Sequence, residues 1–157
     1  MEDVNSVPMI IRREIEALIA APLIRAFMER FGREPALEVT HEVIASLARQ
    51  AGKLLQTDGD GGGLEAVQEA FALFSQARAL EFDVIEATPV KVSINVTRCK
   101  YAEMYRELGL QEFGSVLSCA RDFAFMEGLN PRIQLVRTQT LMQGAAFCDF
   151  RFTVEEE

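Results

Sequence analysis

Cys119 and Asp122 lie three residues apart in an otherwise apolar helical segment, SCARDFAFMEG. Residues with this spacing lie side by side on a helix, so the carboxylate can accept the proton of the thiol. Its negative charge also opposes thiolate formation, and a catalytic pair therefore needs a nearby cation. Arg121, Arg137 and Arg98 are the candidates. Spacing alone favours a simpler interpretation, in which Cys119 is a buried structural cysteine beside an aspartate on the helix surface.

The same two residue types return near the C-terminus, where Cys148 precedes Asp149 in the segment AAFCDFRF. Alternation along a strand places Cys148 toward the helices and Asp149 on the opposite face. Upstream, Arg137 can hold a ligand carboxylate through two hydrogen bonds. An equally good interpretation makes Arg137 a partner for Asp149 or Asp122.

Metal sites are poorly supported by the sequence. The glycine-rich stretch from Asp58 to Glu69 matches four positions of a calcium loop but lacks ligands at Gly62 and Ala66. A single histidine, His41, excludes multi-histidine centres, and the three cysteines lack the CxxC spacing of zinc sites. We therefore predict no metal and no cofactor, and we place His41 on a helix surface.

Charge and composition exclude several classes of partner. The chain has 157 residues and a formal net charge of −8, so it lacks the clustered basic residues that nucleic acids and anionic membranes require. No segment reaches the ~20 apolar residues of a spanning helix, and charged residues from Arg12 to Glu16 interrupt any signal peptide. Three cysteines, an odd number, indicate free thiols in a cytoplasmic protein.

Hydrophobic periodicity predicts the elements that must position these residues. Helical patterns cover Ile10 to Phe31, with a kink or restart at Pro22, then the segment after Pro35, and then 64–79. Alternating patterns predict strands within 80–97, 132–140 and 145–154, and helical patterns return at 100–108 and 111–127. The order indicates one α+β domain over 1–157, in which a helical part (1–79) precedes an antiparallel sheet of about four strands (80–154) with helices packed on it.

The apolar stripes of the first three helices exceed what such a sheet can cover. They include Ile10, Ile11, Phe27, Phe31, Leu54 and Leu55. Large exposed apolar patches usually mark interfaces, so we expect a homodimer formed through these helices.

Three segments together resemble the L-2-amino-thiazoline-4-carboxylic acid hydrolase family: VTRCKYAEMYRELG, SCARDFAFMEGLNP and RTQTLMQGAAFCDFRF. The resemblance covers about residues 80–153. Its most specific positions are Cys119, Asp122, Gly128, Asn130, Pro131, Gly144, Cys148, Asp149 and Phe150.

The resemblance implies hydrolytic opening of a cyclic amidine or isothiourea, such as 2-amino-thiazoline-4-carboxylate, to a carbamoyl amino acid. In a covalent route Cys119 attacks the ring and Asp122 orients it or relays protons. In a water route Asp122 or Asp149 is the general base and Cys119 lines the pocket. No second histidine is present to activate the thiol.

The predicted substrate-binding residues are Arg137, which would hold the ring carboxylate, together with Thr140, Cys148 and Asn130. A second interpretation assigns the chain to a different class of protein. It would be a non-catalytic ligand-binding or regulatory module of the vinyl-reductase-associated or vesicle-tethering type, and its apolar N-terminal helices suit that class.

Overall fold

A computed structural model describes residues 3–56 and 63–155 of the chain. Its helices are α1 (Met9–Phe31), α2 (Arg33–Leu54), α3 (Glu65–Phe74), α4 (Lys100–Glu107), α5 (Gln111–Gly114) and α6 (Arg121–Leu129). Its strands are β1 (Leu80–Ala87), β2 (Lys91–Cys99), β3 (Ile133–Val136) and β4 (Cys148–Val154). The predicted α+β class and the order of its elements are confirmed. Residues 58–62 of the glycine-rich calcium-loop candidate lie outside the described residues.

The four strands form one antiparallel sheet in the order β1-β2-β4-β3. Val96 pairs with Cys148 and Val92 with Phe152, which brings the buried faces of the two central strands into line. Phe71 of α3 packs edge-on against Phe152 of that face, so a helix covers the sheet there. This register places Cys148 on the helix side, as its alternation with Phe152 predicts.

The C-terminal strands are shorter than predicted. Instead of continuing to Thr140, β3 ends at Val136, and β4 begins only at Cys148. The connecting chain leaves the sheet because Thr138 binds the carboxylate of Asp149 and Thr140 caps a short 3-10 turn, Leu141–Gln143. Side-chain acceptors of this kind compete with ladder hydrogen bonds and so end the strand.

Two helix predictions also differ from the structure. A kink or a restart was predicted at Pro22, and the restart does not occur, because α1 is one helix from Met9 to Phe31. Pro22 lies on the exposed side, as does Leu18, whose carbonyl loses its helical donor and can be hydrated there. The predicted helix 111–127 is divided into α5 and α6 by a π-helical turn, Ser115–Cys119.

Helices α2 and α6 approach each other through two glycines. A Cβ atom on Gly128 would lie 2.1 Å from the carbonyl oxygen of Arg49, and one on Gly52 would lie 2.2 Å from that of Phe125. Neither backbone can move aside easily, so only glycine permits this contact. The close approach fixes α6, and with it Asp122, against α2.

The outer faces of α1 and α2 expose many large apolar side chains. They include Ile11, Ile15, Leu18, Ile19, Leu23, Phe27 and Phe31 on α1, and Val39, Val43, Leu47 and Leu54 on α2. Ile10 is the exception among the residues predicted for the interface, because it is buried in the core between α1 and α4. None of the helices in the described ranges combines the length and the apolar character that crossing a bilayer requires.

Candidate functional site

A cavity of about 440 Å3 lies between the N-terminal helices, the sheet and α6. Its size falls in the range that holds small organic ligands. Most of its lining is apolar and includes Ala48, Leu54, Phe71, Phe74, Val96, Phe125, Met126 and Phe150. The polar side chains are concentrated in a few positions, and several of them were predicted from the sequence, among them Cys119, Asp122 and Arg137.

Arg137 joins the other two residues of this trio. One terminal nitrogen of its guanidinium forms a short ion pair with the Asp122 carboxylate. The other donates to the backbone carbonyl of Cys119 at 3.0 Å. Of the alternatives that the sequence leaves open, the structure therefore pairs Arg137 with Asp122. Its role as the anchor of a ligand carboxylate stays a prediction.

Two aromatic rings lie against the Arg137 guanidinium. Its central carbon lies 5.0 Å from the ring centre of Phe123 and 5.1 Å from that of Phe150. The side chain is only 6% exposed, whereas that of Asp122 is 25% exposed. Stacked and paired in this way, the guanidinium has little freedom to reorient toward a ligand. In the structure the guanidinium orients the carboxylate of Asp122.

The π-helical turn Ser115–Cys119 explains how two arginines reach the backbone here. In a π-turn the hydrogen bonds skip one more residue than in an α-helix, as the bond from the Ala120 amide to the Ser115 carbonyl shows (2.8 Å). Carbonyls displaced from the regular ladder are then open to side chains, and Arg121 binds that of Leu117 at 2.7 Å. Such turns are frequent at functional sites.

Gly114 is the sequence signal for this break in the helix. A Cβ atom at Gly114 would lie 2.2 Å from the sulfur of Met142, so a larger residue would require the Met142 side chain to move. A glycine inside a helical pattern is a weak signal, and the pattern on its own predicts a continuous helix.

Burial controls the electrostatics of the trio. It raises the pKa of the Cys119 thiol, and the negative charge of Asp122 raises it further, with only partial opposition from Arg137. Burial also raises the pKa of Asp122 above its ordinary value, against the opposing charge and hydrogen bond of Arg137. The thiol is therefore a poor source of thiolate at neutral pH, and the carboxylate is a stronger base than an exposed aspartate.

Asp149 does not line this cavity and lies near the start of β4, next to the chain segment that links β3 to β4. Its oxygens accept hydrogen bonds from the Thr138 amide (2.9 Å), the Thr138 hydroxyl (2.6 Å) and the Gln139 amide (2.9 Å). Burial would raise the pKa of Asp149, but these hydrogen bonds outweigh it and hold the pKa below its ordinary value. The arrangement suits a carboxylate that organises the loop, and a catalytic role for Asp149 stays a prediction.

The other predicted binding residues are divided among different places. Cys148 lines the cavity, and its sulfur accepts a hydrogen bond from the Leu141 amide at 3.2 Å. Asn130 is buried beyond the end of α6, where its side-chain oxygen accepts from the Arg132 amide. Thr140 caps the 3-10 turn and lines a second cavity. Neither Asn130 nor Thr140 lines the main cavity among the described residues.

The second cavity, of about 390 Å3, lies between α2 and the π-turn. It is lined by His41, which is exposed on α2 as predicted, and by Glu127 and Thr140. Cys119 and Arg137 line both cavities. Within residues 3–56 and 63–155, no three His, Cys, Asp or Glu side chains gather closely enough to hold a metal ion.

Sequence reasoning misses two residues at the main cavity, Arg12 and Arg13 of α1. The sequence shows them only as charges that break an apolar run. Their contribution depends on α1 packing against α4 and the π-turn, which is a long-range contact that no local pattern encodes.

The three cysteines are free thiols, and we expect all three to be slow to react in the folded protein. Burial raises the pKa of Cys99 to about 11 and also raises that of Cys148. Native alkylation at pH 8 should therefore be at least ~100-fold slower than alkylation of the unfolded chain. Mass spectrometry after denaturing alkylation without reductant should show three modified cysteines. A disulfide between any two of them would contradict this prediction.

Comparison with known proteins identifies one family. The family model of L-2-amino-thiazoline-4-carboxylic acid hydrolase matches residues 12–152. No curated protein matches the chain significantly.

Two solved structures share the fold. The phenol-responsive sensory domain of the transcription activator PoxR, with phenol, aligns with a TM-score of 0.54 and 11% identity over 88% of this chain and 73% of that chain. A trafficking protein particle complex subunit 3 from Naegleria fowleri, covalently bound to palmitic acid, aligns with a TM-score of 0.54 and 11% identity over 93% and 96% of the two chains. At such low identity the likeness establishes the fold alone.

Proposed function

Because this chain belongs to the L-2-amino-thiazoline-4-carboxylic acid hydrolase family, we propose that it hydrolyses a small cyclic amidine or isothiourea in the main cavity. The model substrate is 2-amino-thiazoline-4-carboxylate, and the product is a carbamoyl amino acid. The observation that carries the proposal is the oriented carboxylate of Asp122, which lines the cavity and is fixed by Arg137.

The reaction uses water as the nucleophile. Asp122 accepts a proton from the water as its oxygen bonds to the ring carbon that carries the amino group. The attack turns the carbon–nitrogen double bond of the ring into a single bond. The bond from the same carbon to the ring sulfur then breaks as the added oxygen becomes the carbonyl and its remaining proton passes to the ring nitrogen. The sulfur leaves with the first proton, which Asp122 returns. The product is N-carbamoyl-cysteine, so the net change is the addition of one water. A buried carboxylate with a raised pKa suits this role, because a general base works best when its pKa approaches the working pH.

Cys119 has a supporting role in this mechanism. The covalent route needs a thiolate, and both burial and the Asp122 charge oppose its formation. The backbone carbonyl of Cys119 instead accepts a hydrogen bond from Arg137 and so helps to set the position of that guanidinium. Its side chain lines the cavity.

A second candidate function is ligand binding without turnover. The cavity of about 440 Å3 is larger than a single small ring requires, and most of its lining is apolar. The two proteins of similar fold carry apolar or aromatic molecules, namely phenol and palmitic acid. A sensory or regulatory module would use the same cavity and would not need Asp122 as a base.

One pair of measurements separates the two candidates. The protein is incubated with 2-amino-thiazoline-4-carboxylate, thiol release is followed with a chromogenic disulfide reagent, and calorimetry measures binding of the same compound. Thiol release that scales with protein concentration supports hydrolysis. Saturable binding without release supports the second candidate and contradicts the hydrolase proposal.

We also expect the protein to form a homodimer through the exposed apolar faces of α1 and α2. A stable interface buries roughly 800 Å2 per partner, and two long helices with an exposed apolar face can supply it. Sedimentation equilibrium should therefore show a dimer. Phe27→Asp on α1 should shift it toward monomer, whereas the control Val84→Asp on β1, also an exposed apolar position, should not. A wild-type protein that stays monomeric at all accessible concentrations would contradict this expectation.

A further inference from the structure

The wall that α1 contributes to the main cavity carries a cluster of arginines. Arg12 and Arg13 come from the first turns of this helix, and Arg121 comes from the start of α6. With Arg137 they make four arginines among the lining residues, and Asp122 is the only acidic side chain that lines the cavity within the described ranges. Such an excess of positive charge in a mostly apolar cavity is costly unless an anion offsets it.

Arg12 has donor capacity that the protein leaves unused. Its Nε is buried, and within the part of the chain that the structure describes it has no hydrogen-bond partner. Among the described residues its guanidinium makes one long hydrogen bond, 3.3 Å from a terminal nitrogen to the side-chain oxygen of Asn5. A buried donor without a partner costs free energy, and a ligand oxygen would satisfy it once the side chain rotates to bring Nε to the surface of the cavity.

Arg13 and Arg121 share a single acidic partner. Arg13 binds both oxygens of Glu16 at 2.7 Å, and Arg121 binds one of them at 3.0 Å. The two arginine side chains are 15% and 13% exposed, so solvent compensates little of the remaining charge. Burial, with the nearby charge of Arg13 in second place, lowers the pKa of Arg121 to about 10.

The position of the arginines on α1 also favours a bound anion. Arg12 and Arg13 lie near the N-terminal end of the helix, where the macrodipole disfavours positive charge, and the first turn contains no acidic residue. An anion bound here would interact favourably with the helix end and with the arginines together.

We infer that Arg12, Arg13 and Arg121 form a carboxylate subsite, so that the cavity selects organic acids with an apolar or ring-shaped body. The carboxylate contacts the α1 wall, Arg12 supplies the unpaired donor, and the body extends over the apolar lining toward Asp122. This inference rests on the proposed use of the cavity for ligands and assigns the anchoring role to Arg12 in place of Arg137. It does not require that the ligand be hydrolysed.

A matched pair of ligands tests the subsite without any ring chemistry. Phenylbutyrate and phenylbutyramide have nearly the same shape, and only the first carries a carboxylate. Calorimetry with the wild-type protein should show the acid binding at least ~10-fold more tightly than the amide. Arg12→Gln should remove that preference and leave the affinity for the amide unchanged, whereas the control Arg30→Gln, at the exposed end of the same helix, should keep it.

Several results would overturn the inference. They are equal wild-type affinities for acid and amide, no binding of the acid at millimolar concentration, or an acid preference that survives in Arg12→Gln. Should Arg12→Gln fail to fold, as judged by circular dichroism, Arg12→Lys keeps the charge but loses Nε and should still weaken the preference at least ~3-fold. Failure of thiazoline hydrolysis alone leaves the acid preference in place, so the two proposals are tested separately.

Discussion

Replacing Asp122 by Asn should lower turnover of the thiazoline at least ~100-fold, which corresponds to about 2.7 kcal/mol of lost transition-state stabilisation. The amide cannot accept the proton of the attacking water. Its oxygen can still accept the hydrogen bond from Arg137, so the fold should be retained and the cavity should still bind the substrate. Steady-state kinetics of the two proteins, with calorimetric binding of the substrate, provide the measurement.

The surface ion pair between Arg25 and Glu112 supplies a matched control. Glu112→Gln removes a carboxylate from the same helical stretch of the chain, but Glu112 does not line the cavity. This variant should turn over the thiazoline at the wild-type rate. If Asp122→Asn also kept the wild-type rate, Asp122 would not be the base.

The pH dependence of turnover follows from the same carboxylate. A general base acts in its ionised form. The turnover rate should therefore be at its maximum above the pKa of Asp122 and should fall as the pH drops through that pKa. Because burial raises this pKa, the fall should occur at higher pH than for an exposed aspartate. Asp149, whose hydrogen bonds lower its pKa, would produce the opposite displacement.

Replacing Arg137 by Met should cost about 3 kcal/mol of unfolding free energy. The apolar stem of Met can still pack between Phe123 and Phe150, but the Asp122 carboxylate loses its ion pair inside the cavity wall. Removing one partner of a buried pair leaves an uncompensated charge, and this explains the size of the effect. Chemical denaturation with urea measures it.

Two further variants show whether the lost unfolding free energy comes from the unpaired charge of Asp122. Arg25→Met breaks the exposed pair with Glu112 and should change stability by less than ~1 kcal/mol. Adding Asp122→Asn to Arg137→Met removes the unpaired charge, so the double variant should be more stable than Arg137→Met alone. If Arg137→Met unfolds with wild-type stability, the ion pair does not hold this wall together.

Much of the architecture follows from local patterns in the chain. The alternation of Val92, Ile94 and Val96 predicts a half-buried strand, and all three side chains are buried in the sheet core. Gly128 and Pro131 predict the end of α6 closely, because glycine and proline act on the backbone itself. Elements whose limits depend on side-chain contacts are harder to predict from the sequence, and β3 is the clearest case. It ends early because Thr138 binds Asp149.

In the candidate site, too, some residues can be predicted from the sequence and others depend on tertiary contacts. Cys119, Asp122 and Arg137 can be proposed from residue type and spacing, and the structure brings them together. Arg137 pairs with Asp122 because of how deeply Asp122 is buried, and the sequence alone does not predict that burial. Arg12 lies about 110 residues before Asp122 in the chain, and only the packing of α1 across α4 brings both to one cavity.

The most direct test of the proposed hydrolysis is mass spectrometry of the product formed in water labelled with heavy oxygen. Wild-type protein is mixed with 2-amino-thiazoline-4-carboxylate, and both the small molecules and the intact protein are analysed. The account predicts N-carbamoyl-cysteine with one heavy oxygen in its carbamoyl group, no adduct on Cys119, and product formation that is lost in Asp122→Asn. Unchanged thiazoline after prolonged incubation with an equimolar amount of protein would contradict it.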